Sequence, residues 1–266
     1  MKKKFLYHII LIVLIFGQFL LAQNLGGIDQ STPMKHAKSI HQIEWEHYKN
    51  FVPSEKPPEF TGKPMPLQPR RVPPSREVFG YLPYWVYNSY PTLNYDLLTT
   101  IAYFGVDINE LGDIVSYHNW PAGGLINLAH SKGVRVVLTV ILFDGNKLAT
   151  LLGTPANRTN LINNLLTEVQ FASADGVTID FEGVPSGQRQ NLTDFMTELS
   201  TAFHSTMPGS FVTIFSPAVD WRNVFDYLAI SQVADGLIMQ GYDYHWSSGP
   251  TAGPTAPLTS GSVWGT

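Results

Sequence analysis

From Val78 onward the chain alternates short apolar stretches with stretches of helical spacing. EVFGYLPYW (77–85), LLTTIAYFGVDI (97–108), VRVVLTVILF (134–143), DGVTIDFE (175–182), SFVTIFSPAV (210–219) and DGLIMQGYDY (235–244) read as six strands, because β-branched and aromatic residues crowd them. GGLINLAHSKG (123–133), TPANRTNLINNLLTEVQFASA (154–174) and SGQRQNLTDFMTELSTAFHST (186–206) read as helices, and WRNVFDYLAISQVA (221–234) as a helical turn region. In the second helix Leu161, Leu165 and Val169 recur at four-residue steps; Thr154 is the expected N-cap and Pro155 the first helical residue. Strands alternating with helices predict βαβ units and a parallel sheet. Near-continuous apolar strands predict burial on both faces.

Two parallel architectures fit this rhythm, an open doubly wound sheet and a (β/α)8 barrel. A nucleotide-binding open sheet carries a glycine-rich phosphate loop after its first strand; here FGYLPYW runs into VYNSYPT, with neither a GxGxxG nor a GxxxxGK[ST] pattern. Carboxylates stand instead near the C-terminal ends of successive strands, at Asp107, Asp144, Glu182, Asp220 and Asp243. A barrel assembles its active site on that face. The expected fold is therefore α/β, a (β/α)8 TIM barrel with six of its eight strands present. Residues 244–266 are rich in Gly, Pro, Ser and Thr and supply no seventh or eighth strand, so the sequence is expected to be the N-terminal part of a longer reading frame.

The strand DGVTIDFE raises the chemical question. Val177, Ile179 and Phe181 alternate with Thr178, Asp180 and Glu182, the two-residue period of a strand. In a barrel the apolar set packs on the helices and the polar set points into the lumen, where burying charge is costly unless it is paired or used. Side chains two residues apart lie roughly 6.5–7 Å apart along the strand. Like charges that close raise one pKa, so one carboxyl can stay protonated as a general acid. Glu182, nearer the strand end, is better placed to reach a substrate. Asp175, of opposite parity at the strand start, reads as structural.

Ahead of the barrel, Lys2, Lys3 and Lys4 precede an apolar run ending near Ala22. This is the pattern of a secretory signal cut after Ala22, and it predicts export to the medium or the cell envelope. Residues 23–76 read as a Pro-rich linker, expected to be mobile or draped on the surface. A short helix is expected within 36–51, with Ile40, Ile43 and Tyr48 loosely periodic. Trp45, Tyr48 and Phe51 are available either to pack on the domain that follows or to form an isolated face. The barrel domain is then 77–266.

Composition narrows the chemistry. The 266 residues carry a formal net charge of −4, the wrong sign for a nucleic-acid partner. The absence of Cys excludes disulfides, Cys-ligated zinc and a Cys nucleophile. The eight His show no HExxH or other ligand spacing, so no metal or other cofactor is expected.

DGVTIDFE resembles the strand-four signature Asp-Gly-x-Asp-x-Asp-x-Glu of glycoside hydrolase family 18, the chitinase-like barrels; the matching positions are Asp175, Gly176, Asp180 and Glu182. MQGYDY (239–244) resembles the family's Met-x-Tyr-Asp element with one extra residue between Met239 and Tyr242, and FGYLPYW its first strand. The resemblance implies a substrate containing N-acetylglucosamine, chitin or peptidoglycan, and a retaining, substrate-assisted reaction outside the usual two-carboxylate scheme. It implies Glu182 as the acid, Asp180 orienting the acetamido group, and Tyr242 donating a hydrogen bond to the acetamido oxygen. It further implies Asp243 on a sugar hydroxyl, and Tyr84, Trp85, Tyr244 and Trp246 as aromatic platforms. Cell-surface or wall association would suit such a substrate. Thr178 departs from the signature, standing where the middle Asp belongs. Thr can hydrogen-bond Asp180 but cannot share a proton with it, so the pH profile is expected to differ, and the departure tilts the substrate towards peptidoglycan-type sugars. A non-catalytic carbohydrate-binding relative using the same cleft is the alternative, though such relatives typically lose the acid that Glu182 retains.

Overall fold

The computed structural model describes residues 38–52, 64–70, 72–241 and 253, all within one unit spanning Lys38–Thr266. The apolar run expected as a signal, and Tyr242, Asp243, Tyr244 and Trp246, lie outside the described residues. Among the described residues no helix is long and apolar enough to cross a membrane.

Helix α1 (Ile40–Tyr48) comes first. Strand β1 (Phe79–Pro83) leads through a 3-10 stretch (Tyr84–Thr92) to β2 (Thr100–Ile108) and the short β3 (Ile114–Ser116). Then follow α2 (Gly123–Ser131), β4 (Arg135–Leu142), α3 (Gly145–Gly153), α4 (Pro155–Ala172) and β5 (Gly176–Phe181). The described part ends with α5 (Arg189–Thr206), β6 (Phe211–Pro217), α6 (Tyr227–Ser231) and β7 (Gly236–Gln240). The sheet order is β1-β2-β4-β5-β6-β7, every neighbouring pair parallel. The six expected strands are thus present in the expected order, with helices between them, as an incomplete (β/α)8 barrel. Two elements are absent from the sequence expectation. β3 is a three-residue antiparallel partner of β2, too short for a periodic signal. α3 is capped by Asp144, which accepts from the N–H groups of Asn146 and Lys147, and it buries Leu148, Leu151 and Leu152; that three-and-four spacing was its sequence signature.

Parity splits the strands as a barrel requires. Val177, Ile179 and Phe181 join the hydrophobic core between sheet and helices, where the Phe181 ring stacks on Phe195 of α5 at 5.5 Å. The other parity forms lumen layers: Thr139, Thr178 and Thr213 are register partners on β4, β5 and β6, and all three are fully buried. The sheet curls far enough for Tyr81 of β1 and Phe215 of β6 to meet edge to face, with centroids 6.2 Å apart.

Gly176 opens β5 for a steric reason. Its φ is +149°, and a Cβ there would lie 2.1 Å from the carbonyl oxygen of Phe211. Just before it, the Asp175 carboxylate accepts from the Val136 N–H at 2.7 Å and pairs with His130 at 2.8 Å. The stretch Asp235-Gly236 repeats the device two strands later, at the start of β7: Asp235 accepts from the Val212 N–H at 2.7 Å and pairs with His204 at 2.9 Å.

Part of the segment read as a mobile or surface-draped linker is hydrogen-bonded to the barrel. Met65 N–H donates to Asn127, and Gln68 N–H to the His130 carbonyl. Arg70 donates to the carbonyls of Tyr95, Asp96 and Leu98. The reason is local: strand-start loops leave carbonyls unpaired, and an extended Pro-rich backbone with one Arg can satisfy them.

Candidate active site

β5 ends in the lumen with Asp180 fully buried and with Glu182, one residue beyond the strand, 13% exposed at its side chain. Glu182 N–H donates to the Leu142 carbonyl at 3.3 Å, which extends the ladder and aims the side chain along the lumen face. The chain then turns away at Gly183, φ +79°, and Arg222 holds the following loop through the Val184 carbonyl at 2.9 Å.

The Asp180 carboxyl lies well inside the protein, and burial pushes it above its ordinary value while a hydrogen bond from His41 pulls the other way. Burial and the Asp180 charge push the neighbouring Tyr81 phenol well up, with the Thr178 hydroxyl opposing. The hydrogen bond expected between Thr178 and Asp180 is not made: Asp180 Oδ1 has no hydrogen-bond partner among the described residues, and the Thr178 hydroxyl lies beside the Tyr81 phenol instead.

Asp180 is met instead from α1. His41 Nδ1 lies 2.8 Å from Asp180 Oδ2 and 3.8 Å from Glu182 Oε1. Its ring stacks on Phe215 at 4.6 Å and adjoins Tyr81 at 5.0 Å and Phe104 at 5.2 Å. His41, Asp180 and Glu182 each offer a ligand atom within 4.8 Å of the others, close enough to share a cation. One helical turn on, Trp45 Nε1 donates to Asp107 Oδ1 at 2.7 Å, and Asp107 also pairs with His118 at 2.9 Å. The Trp45 ring sets its edge against Phe143 at 5.8 Å. Tyr48 stacks on Trp85 at 4.6 Å and 12°.

The expected aromatic platforms divide. Trp85 presents a ring face, covered here by Tyr48. Tyr84 is 1% exposed, its ring stacked on His118 at 3.9 Å and its hydroxyl donating to the Tyr48 carbonyl at 2.9 Å. Tyr84 is therefore a buried support of the wall rather than an open platform, because consecutive residues of the 3-10 stretch cannot both face the groove. Of the remaining strand-end carboxylates, Asp144 caps α3 and Asp220 accepts from the Phe225 N–H at 2.7 Å. His41 was not among the expected site residues. Its spacing with Trp45 and Tyr48, four and three residues, was the available signal.

Residues 77–266 match the family described as Glycosyl hydrolases family 18. The chain is 28% identical over 204 residues, 70% of its length and 47% of the relative's, to the Bacillus subtilis (strain 168) protein named as sporulation-specific glycosylase YdhD. The crystal structure of YdhD superposes with a TM-score of 0.55, covering 64% of this chain and 58% of that one. The C-terminal domain of a protein named as a chitinase from Desulfitobacterium hafniense DCB-2 is 26% identical at a TM-score of 0.57, covering 68% and 58%. The Bacillus cereus spore cortex-lytic enzyme SleL, at 19% identity, shares the fold with a TM-score of 0.57 over 67% of this chain and 44% of that one. The chain spans about half the length of YdhD. With its lumen carboxylates, its parallel barrel strands and a match over residues 77–266, the chain belongs to glycosyl hydrolase family 18.

Proposed function

We propose that this protein is an exported glycosidase that hydrolyses β-1,4 bonds next to N-acetylglucosamine in chitin or peptidoglycan. The observation that carries the reading is the pair Asp180 and Glu182 on one lumen-facing edge of β5, the first fully buried and the second reaching the groove. Such an edge has little structural use: two carboxylates in a lumen cost folding free energy that only chemistry or binding would justify.

Glu182 gives its proton to the glycosidic oxygen. The carbonyl oxygen of the substrate's own acetamido group attacks the anomeric carbon as the glycosidic C–O bond breaks, forming an oxazolinium ion. Asp180 accepts from the acetamido N–H and offsets its developing charge. Water, losing a proton to Glu182, then adds to the anomeric carbon as the oxazolinium C–O bond there breaks and the acetamido carbonyl is regenerated, so that configuration is retained and the acid is restored. Tyr242 and Asp243 are proposed to bind the acetamido oxygen and a sugar hydroxyl, and Trp85, Tyr244 and Trp246 to stack on sugar rings. The Lys-rich, apolar N-terminus supports export, and association with the wall would follow from the substrate. Thr178 in place of the middle Asp, together with a relative named as a sporulation-specific glycosylase, supports a peptidoglycan-type sugar over chitin.

The test is Glu182→Gln, assayed on chitopentaose and on purified peptidoglycan. The expected result is a fall in kcat of about 10²–10⁴-fold, the usual worth of a positioned acid, with chitopentaose binding retained. Equal turnover by the variant would refute the acid assignment. Binding without turnover by both forms would leave a carbohydrate-binding module.

A further inference from the structure

Helix α1 occupies the place where a glycan would lie. Its inward face is His41, Trp45 and Tyr48, one residue per turn, and each meets a group at the C-terminal end of a strand. His41 takes Asp180, Trp45 takes Asp107, and Tyr48 covers the Trp85 ring. Those contacts have the character of sugar recognition, with aromatic stacking, a hydrogen bond to a carboxylate and a polar ring in the deepest position.

The contacts differ from those of a core helix. A helix built into the fold buries its aliphatic side chains. α1 leaves Ile40 45% and Ile43 50% exposed, and none of its residues is buried. Of the loosely periodic Ile40, Ile43 and Tyr48, only Tyr48 docks; the two isoleucines face away. At nine residues, α1 is shorter than an isolated helix that holds its shape in water, so seating and folding are one event and displacement would melt it. The strap at 64–70 is fixed through Arg70 to the carbonyls of Tyr95, Asp96 and Leu98, ahead of β2. It tethers α1 to the barrel, and a tether keeps the local concentration of a displaced segment high.

We propose that α1 is an intramolecular occupant of the groove, a latch that substrate must displace before Asp180 and Trp85 are free. The proposal rests on the groove being the glycan site.

Ser39, which caps α1 and is 4% exposed, supplies the probe. The chain has no Cys, so Ser39→Cys carries a single thiol whose reaction with a maleimide reports whether α1 is seated. The full chain with Ser39→Cys is compared with the same chain carrying Trp45→Ala and Tyr48→Ala, and both are titrated with chitopentaose. The expected result is labelling at least tenfold faster in the loosened variant, labelling accelerated by chitopentaose in the parent, and about tenfold tighter chitopentaose binding by the loosened variant. Labelling of the parent at the rate of the urea-unfolded chain would overturn the seat. Protection that chitopentaose leaves unchanged, with equal affinity in both forms, would overturn the competition. If neither form binds chitopentaose or peptidoglycan fragments, the glycan reading falls instead, and the latch is judged on the labelling alone.

Discussion

Asp180 is held where a carboxylate is expensive. Its side chain is fully buried, and burial raises its pKa against the pull of His41. A carboxyl whose folded pKa is raised leaves stability intact below its unfolded pKa of about 3.9. Stability is lost as the pH rises through the folded value, since the unfolded chain then gives up its proton first. Asp180→Asn is therefore expected to raise Tm at pH 7 by a few degrees, on the order of 2–4 °C per kcal/mol relieved. The gain should shrink towards pH 3, and glycan turnover should collapse. Thermal melts across that range check it; a lower Tm at pH 7 would show that the carboxylate is stabilised by its surroundings. The two-residue parity of this edge was readable from DGVTIDFE alone. The identity of the group that meets Asp180 was not, because His41 lies 139 residues away in the chain.

The strand starts show how the sheet is pinned. Asp175 and Asp235 each precede a Gly, each accept from a backbone N–H of the preceding strand, and each pair with a His near the end of the helix that leads into that strand. Burial lowers the pKa of His130, but the Asp175 hydrogen bond and charge, with the Met65 carbonyl, outweigh it and hold it above the ordinary value. The stabilisation is complete below the unfolded pKa of about 6.5 and fades as the pH rises through the folded value. Asp175→Asn keeps an acceptor for the Val136 N–H and loses the charge. It should cost about 1–3 kcal/mol, with the Tm difference from the parent largest below pH 6.5 and smaller at pH 9. A difference independent of pH would remove the charge from the account. The repeated Asp-Gly was visible in the sequence, and so was the opposite parity of Asp175. The pairing with His130 and His204 needed the helices folded back onto the sheet.

The barrel is bracketed by its own N-terminal segment. α1 crosses the strand ends that carry Asp180 and Glu182, and the 64–70 strap binds the carbonyls that precede β2. Arg70 is the main fastening, with three acceptors. Arg70→Ala should lower stability by about 1–3 kcal/mol and speed amide exchange along 64–70, followed by hydrogen-exchange mass spectrometry. Exchange equal to that of the parent would mean the strap is held by other contacts. Composition marked this whole segment as a linker because proline disfavours helix interiors and ladders. Composition does not register that unpaired carbonyls elsewhere in the fold can recruit such a chain.

The number, order and direction of the six strands, and the division of β5 into an apolar and a carboxylate face, follow from local periodicity. A strand's alternation and a helix's four-residue steps are set by backbone geometry, and the chain records them residue by residue. Asp144 with Leu148, Leu151 and Leu152 recorded α3 in the same way. The burial of Tyr84, the missing Thr178–Asp180 bond, the curl that brings Tyr81 to Phe215 and the seating of His41, Trp45 and Tyr48 in the groove were decided by the assembled barrel. Each was settled by groups distant in the chain, so only the three-dimensional arrangement of acceptors, ring faces and excluded volume selects among the partners they could have had.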